Sequence, residues 1–216
     1  MSCNEHCCGL TTLFDAKLAR RDLDSYRRRG PSASTRRLLS AVRDAGRPPE
    51  TLLDVGGGVG TIAHELLAAG AARATMVDAS PAYVAAAREE AARRGTTDRL
   101  QLRQGDLVEV ADDVPPADVV TLDKVVCCYP DMETLLAVSA ARARRLYGIV
   151  YPLDGWWVRL AIAVENGVRR LRGGTFRSFI HPNAAIDAAL RRAGLALRTR
   201  KRGLWWVVAL YERRGT

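Results

Sequence analysis

The chain has 216 residues, 48% hydrophobic and 26% charged, a balance that permits one sheet-and-helix core and excludes a disordered tail. No run of about 18 apolar residues occurs, which argues against a spanning helix, and the polar start Met1-Ser-Cys-Asn-Glu-His-Cys-Cys lacks the pattern of a secretory signal, so a cytoplasmic location is expected. The net charge of +9 is almost wholly arginine, in pairs such as Arg93-Arg94 and Arg191-Arg192 that suit solvated helix faces, so a nucleic-acid partner is disfavoured.

In chain order, Leu10 to Arg29 and Ser32 to Ala45 read as two helices parted by Gly30-Pro31. Ahead of them, Cys3, His6, Cys7 and Cys8 could offer soft ligands, but their spacing matches no common zinc pattern. No metal is assigned there, and reactive thiols on a mobile terminus are the competing reading. Thr51 to Val55 is a short apolar strand, followed by Gly56-Gly-Gly-Val-Gly60 and a helix from Thr61 to Ala69. Ala74 to Asp78 is a second strand, Pro81 to Arg94 a helix with proline in its first turn, and Leu100 to Gln104 a third strand. Val119 to Asp123, the helix Asp131 to Arg144 and the strand Leu146 to Pro152 repeat the alternation, which implies a parallel sheet with helices on both faces.

The last third departs from that rhythm. Trp156 to Leu171 is an amphipathic insertion with Trp156, Leu160, Val164, Val168 and Leu171 near one face. It could roof a pocket or complete the core, and its Trp and Arg content could also hold a membrane surface, the less favoured reading. Asn183 to Ala193 is a helix, and the strands Leu195 to Arg200 and Leu204 to Tyr211 are joined by Lys201-Arg-Gly203 as an antiparallel hairpin. A single domain over 1–216 is expected, with a helical cap at 1–49, a core at 50–153, the insertion at 154–180 and a terminal helix and hairpin at 181–216.

Leu52-Leu-Asp-Val-Gly-Gly-Gly-Val-Gly60 carries the chemistry. Gly56, Gly58 and Gly60 let backbone approach a ligand where a Cβ would intrude, and the next helix turns its N-terminal amides toward that place. The spacing is G-x-G-x-G with Asp54 just ahead, whereas a nicotinamide fold would prefer G-x-G-x-x-G. Asp78 and Asp106 follow at the ends of the next two strands. Each acid alone could be a turn residue or helix cap, but three at successive strand ends are harder to dismiss. With the terminal hairpin, this set resembles the class I AdoMet-dependent methyltransferases, α/β Rossmann-like proteins with a seven-stranded, mostly parallel sheet and one reversed strand.

The resemblance implies S-adenosyl-L-methionine (AdoMet) as cofactor and a role for each position. Asp78, with Ala79 beside it, would meet the ribose hydroxyls, Asp106 the adenine amino group, and Leu107 the ring. Asp54 would face the methionine end, and Asp123, closing strand four, is counted with these cofactor positions. Amine methyltransferases often carry Asn or Asp-Pro-Pro-Tyr after strand four, where this chain has Leu122-Asp-Lys-Val-Val-Cys-Cys-Tyr-Pro-Asp131. That departure argues against nucleic-acid base methylation. A small, apolar or aromatic acceptor methylated on oxygen is expected.

Val125-Val-Cys-Cys-Tyr-Pro-Asp-Met132 and Tyr151-Pro-Leu-Asp-Gly-Trp-Trp157 are similar to bacterial proteins grouped with magnesium-protoporphyrin O-methyltransferases. Carboxylate methylation is therefore an alternative, and it needs cations rather than a base. An AdoMet-binding sensor without turnover is another. If a base is used, Tyr26, Tyr129 and His181 are the candidates, each with a competing structural role, while His64 is expected to be structural. Nothing in the sequence sets the oligomeric state.

Overall fold

A computed structural model describes residues 13–214. The Cys3, His6, Cys7 and Cys8 cluster lies outside the described residues, and among those described no group of three or more His, Cys, Asp or Glu is placed to hold a metal ion.

Helix α1 (Ala16–Arg29) starts where the Asp15 side chain accepts from the Leu18 amide at 2.8 Å and stops at Gly30, whose positive φ of 69° turns the chain away. The described part of the first expected helix is therefore interrupted at Phe14–Asp15. Helix α2 (Ala33–Asp44) is capped by Ser32 and buries Leu38, Leu39 and Val42. Four βα steps follow: β1 (Thr51–Val55) and α3 (Thr61–Ala68), β2 (Arg73–Asp78) and α4 (Pro81–Arg94), β3 (Leu100–Gln104) and the single-turn α5 (Leu107–Val110), β4 (Ala117–Asp123) and α6 (Met132–Ala141). The chain closes with β5 (Ala143–Pro152), α7 (Trp156–Leu171), α8 (Asn183–Arg192), β6 (Leu195–Arg202) and β7 (Trp206–Arg213).

Several boundaries shift by a few residues, and two of the shifts have a visible cause. Helix α6 ends three residues early, because Ala143 pairs with Ala117 and draws Arg144 and Arg145 into β5. The hairpin turn also moves: β6 runs on through Arg202, and the Gly203 amide closes the turn onto the Trp206 carbonyl at 2.8 Å.

The seven strands lie in the order β3-β2-β1-β4-β5-β7-β6, all parallel except β7. Alternate residues of β5 feed two cores. Tyr147, Ile149 and Tyr151 join α6 and α8 on one face, while Leu146 and Val150 join α2, α3 and α4 on the other. Gly148 stands where a Cβ would lie 2.7 Å from Leu38 Cδ1, so its missing side chain lets α2 lie close on the sheet. Strand order reverses between β1 and β4, and in open α/β sheets the crevice beyond the carboxyl ends at such a switch point takes the ligand.

The stripe on α7 does not complete the core. Val158 is the helix's one buried residue, and Trp156, Leu160, Val164, Val168 and Leu171 all face outward. Its opposite side is held by residues after the helix: Asn166 makes two hydrogen bonds with the Ser178 backbone, and the Arg169 guanidinium lies over the Phe176 ring.

Candidate cofactor and acceptor site

Beyond the carboxyl ends of β1 to β4 lies a cavity of about 230 Å³, beside one of about 370 Å³ that shares Gly56, Gly58, Tyr83, Asp123 and Lys124 as wall. The first is walled mainly by apolar side chains, Phe14, Val77, Leu107, Val125, Tyr129 and Leu135 among them, with Asp78, Ala79 and Asp106 at its edge. The second lies between the glycine loop and the α1–α2 connection and includes Tyr26, Ser32, Thr35 and Asp54.

The loop from Gly56 to Gly60 is built from left-handed turns that suit glycine. Gly56 and Gly58 have φ of 59° each, and a Cβ on Gly58 would meet nothing nearer than the Tyr83 ring at 3.5 Å, so it would point into the cavity. Gly57 is also required, a point the alternate-glycine pattern missed: its Cβ would sit 2.7 Å from Met76 Cγ and 2.8 Å from Asp54 Oδ2. Gly60 lies off both cavity walls and starts α3, packed where a Cβ would come 2.8 Å from His64 Nε2.

The Asp78 carboxylate is fixed by backbone amides, Gly58 donating to Oδ2 and Ser80 to Oδ1, both at 2.9 Å. Burial pushes its pKa up, and those amides pull against the shift. Each oxygen keeps lone pairs for a further donor. Asp54 is buried, with Oδ1 accepting from Thr121 at 2.8 Å and Oδ2 without a partner among the described residues. Desolvation pushes its carboxyl up to about 7. Asp106 caps α5 by accepting from the Val108 amide, and Leu107 is buried behind it.

Asp123 faces both cavities. Thr35 donates to its Oδ2 at 2.5 Å, and Lys124 Nζ stands 3.2 Å from Oδ1. Lys124 has a φ of 64°, the one non-glycine residue with positive φ among those described. Such a backbone is strained and marks a place to look for function. Its ammonium reaches Ser32 Oγ at 3.2 Å and lies 5.5 Å from the Trp206 ring centroid. Lys124 was missed in the sequence, as were Phe14, Tyr83 and Cys128. The usable signal was a rare lysine directly after a strand-end acid.

The three candidate bases fare differently. Tyr129 lies on the first cavity's wall. Tyr26 borders the second, but its hydroxyl donates to Glu65 at 2.8 Å, its ring stacks on His64, and burial followed by that hydrogen bond pushes the phenol well above its ordinary pKa. His181 lies off both walls. Its Nε2 is 3.2 Å from the Val126 carbonyl and 3.0 Å from that of Tyr129, so this nitrogen carries the proton and fastens the loop after β4. His64 is fully buried within α3, and burial pushes its pKa down to about 4.

Orphaned Asp54 Oδ2, the doubly held Asp78 and a loop whose Gly58 leaves the cavity clear of a Cβ fit AdoMet by charge and shape. The sheet order and reversed strand are those of the class I AdoMet-dependent methyltransferases. Residues 52–146 match the family model described as a methyltransferase domain. The chain is 28% identical over 131 residues to ribosomal protein L11 methyltransferase of Yersinia pseudotuberculosis serotype O:1b (strain IP 31758), a match covering 57% of this chain and 45% of that protein. The chain thus spans less than half the length of that curated relative. Among solved structures, magnesium protoporphyrin IX methyltransferase from Synechocystis PCC 6803 with bound SAH superposes with a TM-score of 0.68 at 20% identity, over 84% of this chain and 81% of that one. An O-methyltransferase family protein from Burkholderia thailandensis gives 0.63 at 17% identity, over 92% and 57%. At these identities the likeness is one of fold.

Proposed function

We propose that the chain methylates an oxygen of a small apolar or aromatic acceptor. AdoMet supplies an electrophilic methyl group on a sulfonium, and the protein's part is to hold donor and acceptor in line. In this reading Asp78 and Ala79 take the ribose, Asp106 and Leu107 the adenine, and Asp54 the methionine ammonium, with Gly56 and Gly58 giving backbone room.

The observation that carries the choice of oxygen is Lys124. Its strained backbone sets the residue at the carboxyl end of β4, on the shared wall of the two cavities, with its ammonium paired to Asp123 at 3.2 Å, a pairing an anionic acceptor would share. A cation there stabilises an oxyanion and disfavours an amine acceptor, which would also want the proline-rich carbonyl loop this chain lacks.

A carboxylate acceptor, as in the magnesium-protoporphyrin reading, is a second form of the same proposal. Neither Tyr26, with its raised pKa, nor His181, with Nε2 engaged by carbonyls, supplies an evident base. An acceptor already ionised at neutral pH needs none.

The test has two stages. Calorimetry with AdoMet and its demethylated product should give saturable binding, and absence of heat with both at high micromolar concentration would refute the site. Isotope-labelled AdoMet should then mark phenols or carboxylates in an acceptor panel that includes a porphyrin propionate. Tight binding with no label transferred to any of them would favour a sensor, and label on amines alone would overturn the oxygen assignment.

A further inference from the structure

Helix α7 carries a solvent-facing apolar stripe that nothing among the described residues covers. Trp156 is 74% exposed and Leu171 89%, with Leu160, Val164 and Val168 exposed between them. Soluble helices turn such a stripe inward, and a large uncovered patch marks an interaction site.

A second segment extends this surface. The β6–β7 turn exposes Leu204 and Trp205, and Trp157 Nε1 donates to the Leu204 carbonyl at 3.2 Å, tying the turn to the start of α7. The chain has four tryptophans: Trp156 and Trp157 open α7, Trp205 lies in the turn, and Trp206 is the first residue of β7 beside it. Tryptophan favours the boundary between hydrocarbon and lipid headgroups, where one part of its ring system is apolar and its N–H stays wet.

Charge identifies the occupant. At about 100° per residue, Arg159 and Arg170 flank one margin of the stripe and Arg172 the other. Arg177, Lys201 and Arg202 extend the basic border. All six are exposed, and none pairs with a carboxylate among the described residues. A second copy of the chain would bring these cations against their equals, whereas an anionic surface neutralises them. No helix among the described residues is long and apolar enough to cross a membrane, so the geometry is that of a helix lying on one.

We propose that α7 and the β6–β7 turn form a docking surface for an anionic lipid bilayer. The apolar stripe enters the headgroup boundary and the arginines meet lipid phosphates. On the other side of α7, buried Phe176 meets Phe14, which lines the first cavity, at 5.7 Å between centroids. The docked helix is thereby coupled to the wall of the site, suiting it to an apolar acceptor dissolved in the bilayer.

The test uses the full chain and vesicles of phosphatidylcholine alone or mixed with phosphatidylglycerol, and is read without turnover. Sedimentation should show at least about tenfold tighter binding to the mixed vesicles, weakened by high salt. Tryptophan emission should shift to the blue, and brominated acyl chains should quench it. Leu160→Ser with Val164→Ser should lower vesicle binding at least about tenfold, and so should Arg159→Glu with Arg170→Glu. Because these side chains are exposed, circular dichroism and AdoMet calorimetry should be unchanged in both variants. No binding to mixed vesicles at low salt, or unaltered binding by the serine variant, would overturn the proposal. So would a dimer of the parent chain that the serine variant turns into a monomer, since the stripe would then be covered by a copy.

Discussion

Asp78 does two jobs through one carboxylate: its oxygens fix the Gly58 and Ser80 amides and still face the cavity. Asp78→Asn keeps the shape and one oxygen but removes the charge, so AdoMet affinity should fall by about 1.5–3 kcal/mol, on the order of 10- to 150-fold. Calorimetry on the folded variant checks this, and unchanged affinity would remove Asp78 from the site. Asp54 gives a pH signature. Burial raises its pKa to about 7 in the ligand-free protein, and an ammonium beside Oδ2 would favour the ionised form. Affinity should therefore strengthen as pH rises through about 7, and binding below it should release a proton. At about pH 6, calorimetry in two buffers of different ionisation enthalpy should give different heats. Equal heats would mean that Asp54 does not titrate with binding.

At the scale of elements, α1 is clamped to α4 through a buried acid. Burial raises the Glu90 pKa, but hydrogen bonds from Arg93, Arg94 and Arg27 outweigh it and hold the carboxyl well below the usual range. Only Arg27 comes from α1, and Tyr83 of α4 returns the link by donating to Asp22 at 2.6 Å. Glu90→Ala should cost about 2–3 kcal/mol, less than a sealed buried pair because the arginines reach solvent. Chemical denaturation reads this directly, and a loss below about 0.5 kcal/mol would mean that packing alone holds α1.

The sequence announced most elements through period and punctuation: Gly30-Pro31 parted the first helices, and the alternation from Thr51 onward set the sheet. It concealed what tertiary pairing decides. Arg144 looks helical until Ala143 finds Ala117, and the stripe on α7 is spaced as a core stripe would be although no element among the described residues covers it. At the site, the strand-end acids were visible as a pattern, whereas Lys124 depends on a backbone angle and Gly57 on how near Met76 and Asp54 approach.

The whole molecule gathers its cavity-lining groups from several loops at one sheet edge, so occupancy there should stabilise the whole domain. At AdoMet about 100-fold above its dissociation constant, linkage predicts about 2.7 kcal/mol, or roughly 5–10 °C in Tm for a chain of this size. Differential scanning fluorimetry with AdoMet and with the demethylated product measures it. A flat response to both, despite binding by calorimetry, would mean that the unfolding step reported does not include the site.

Strand β6 forms one margin of the sheet, and a bare margin is a template on which another chain can add strands without limit. From Arg198 to Arg202 that margin reads Arg-Thr-Arg-Lys-Arg. Arg198 pairs with Glu212 and Arg200 with Asp187, leaving Lys201 and Arg202 exposed toward the turn. An incoming copy of the same strand would face like charge at close range and would have to displace both ion pairs. The reversed seventh strand thus leaves outermost a sequence poorly suited to pairing with itself, which guards against edge-to-edge aggregation as the protein folds.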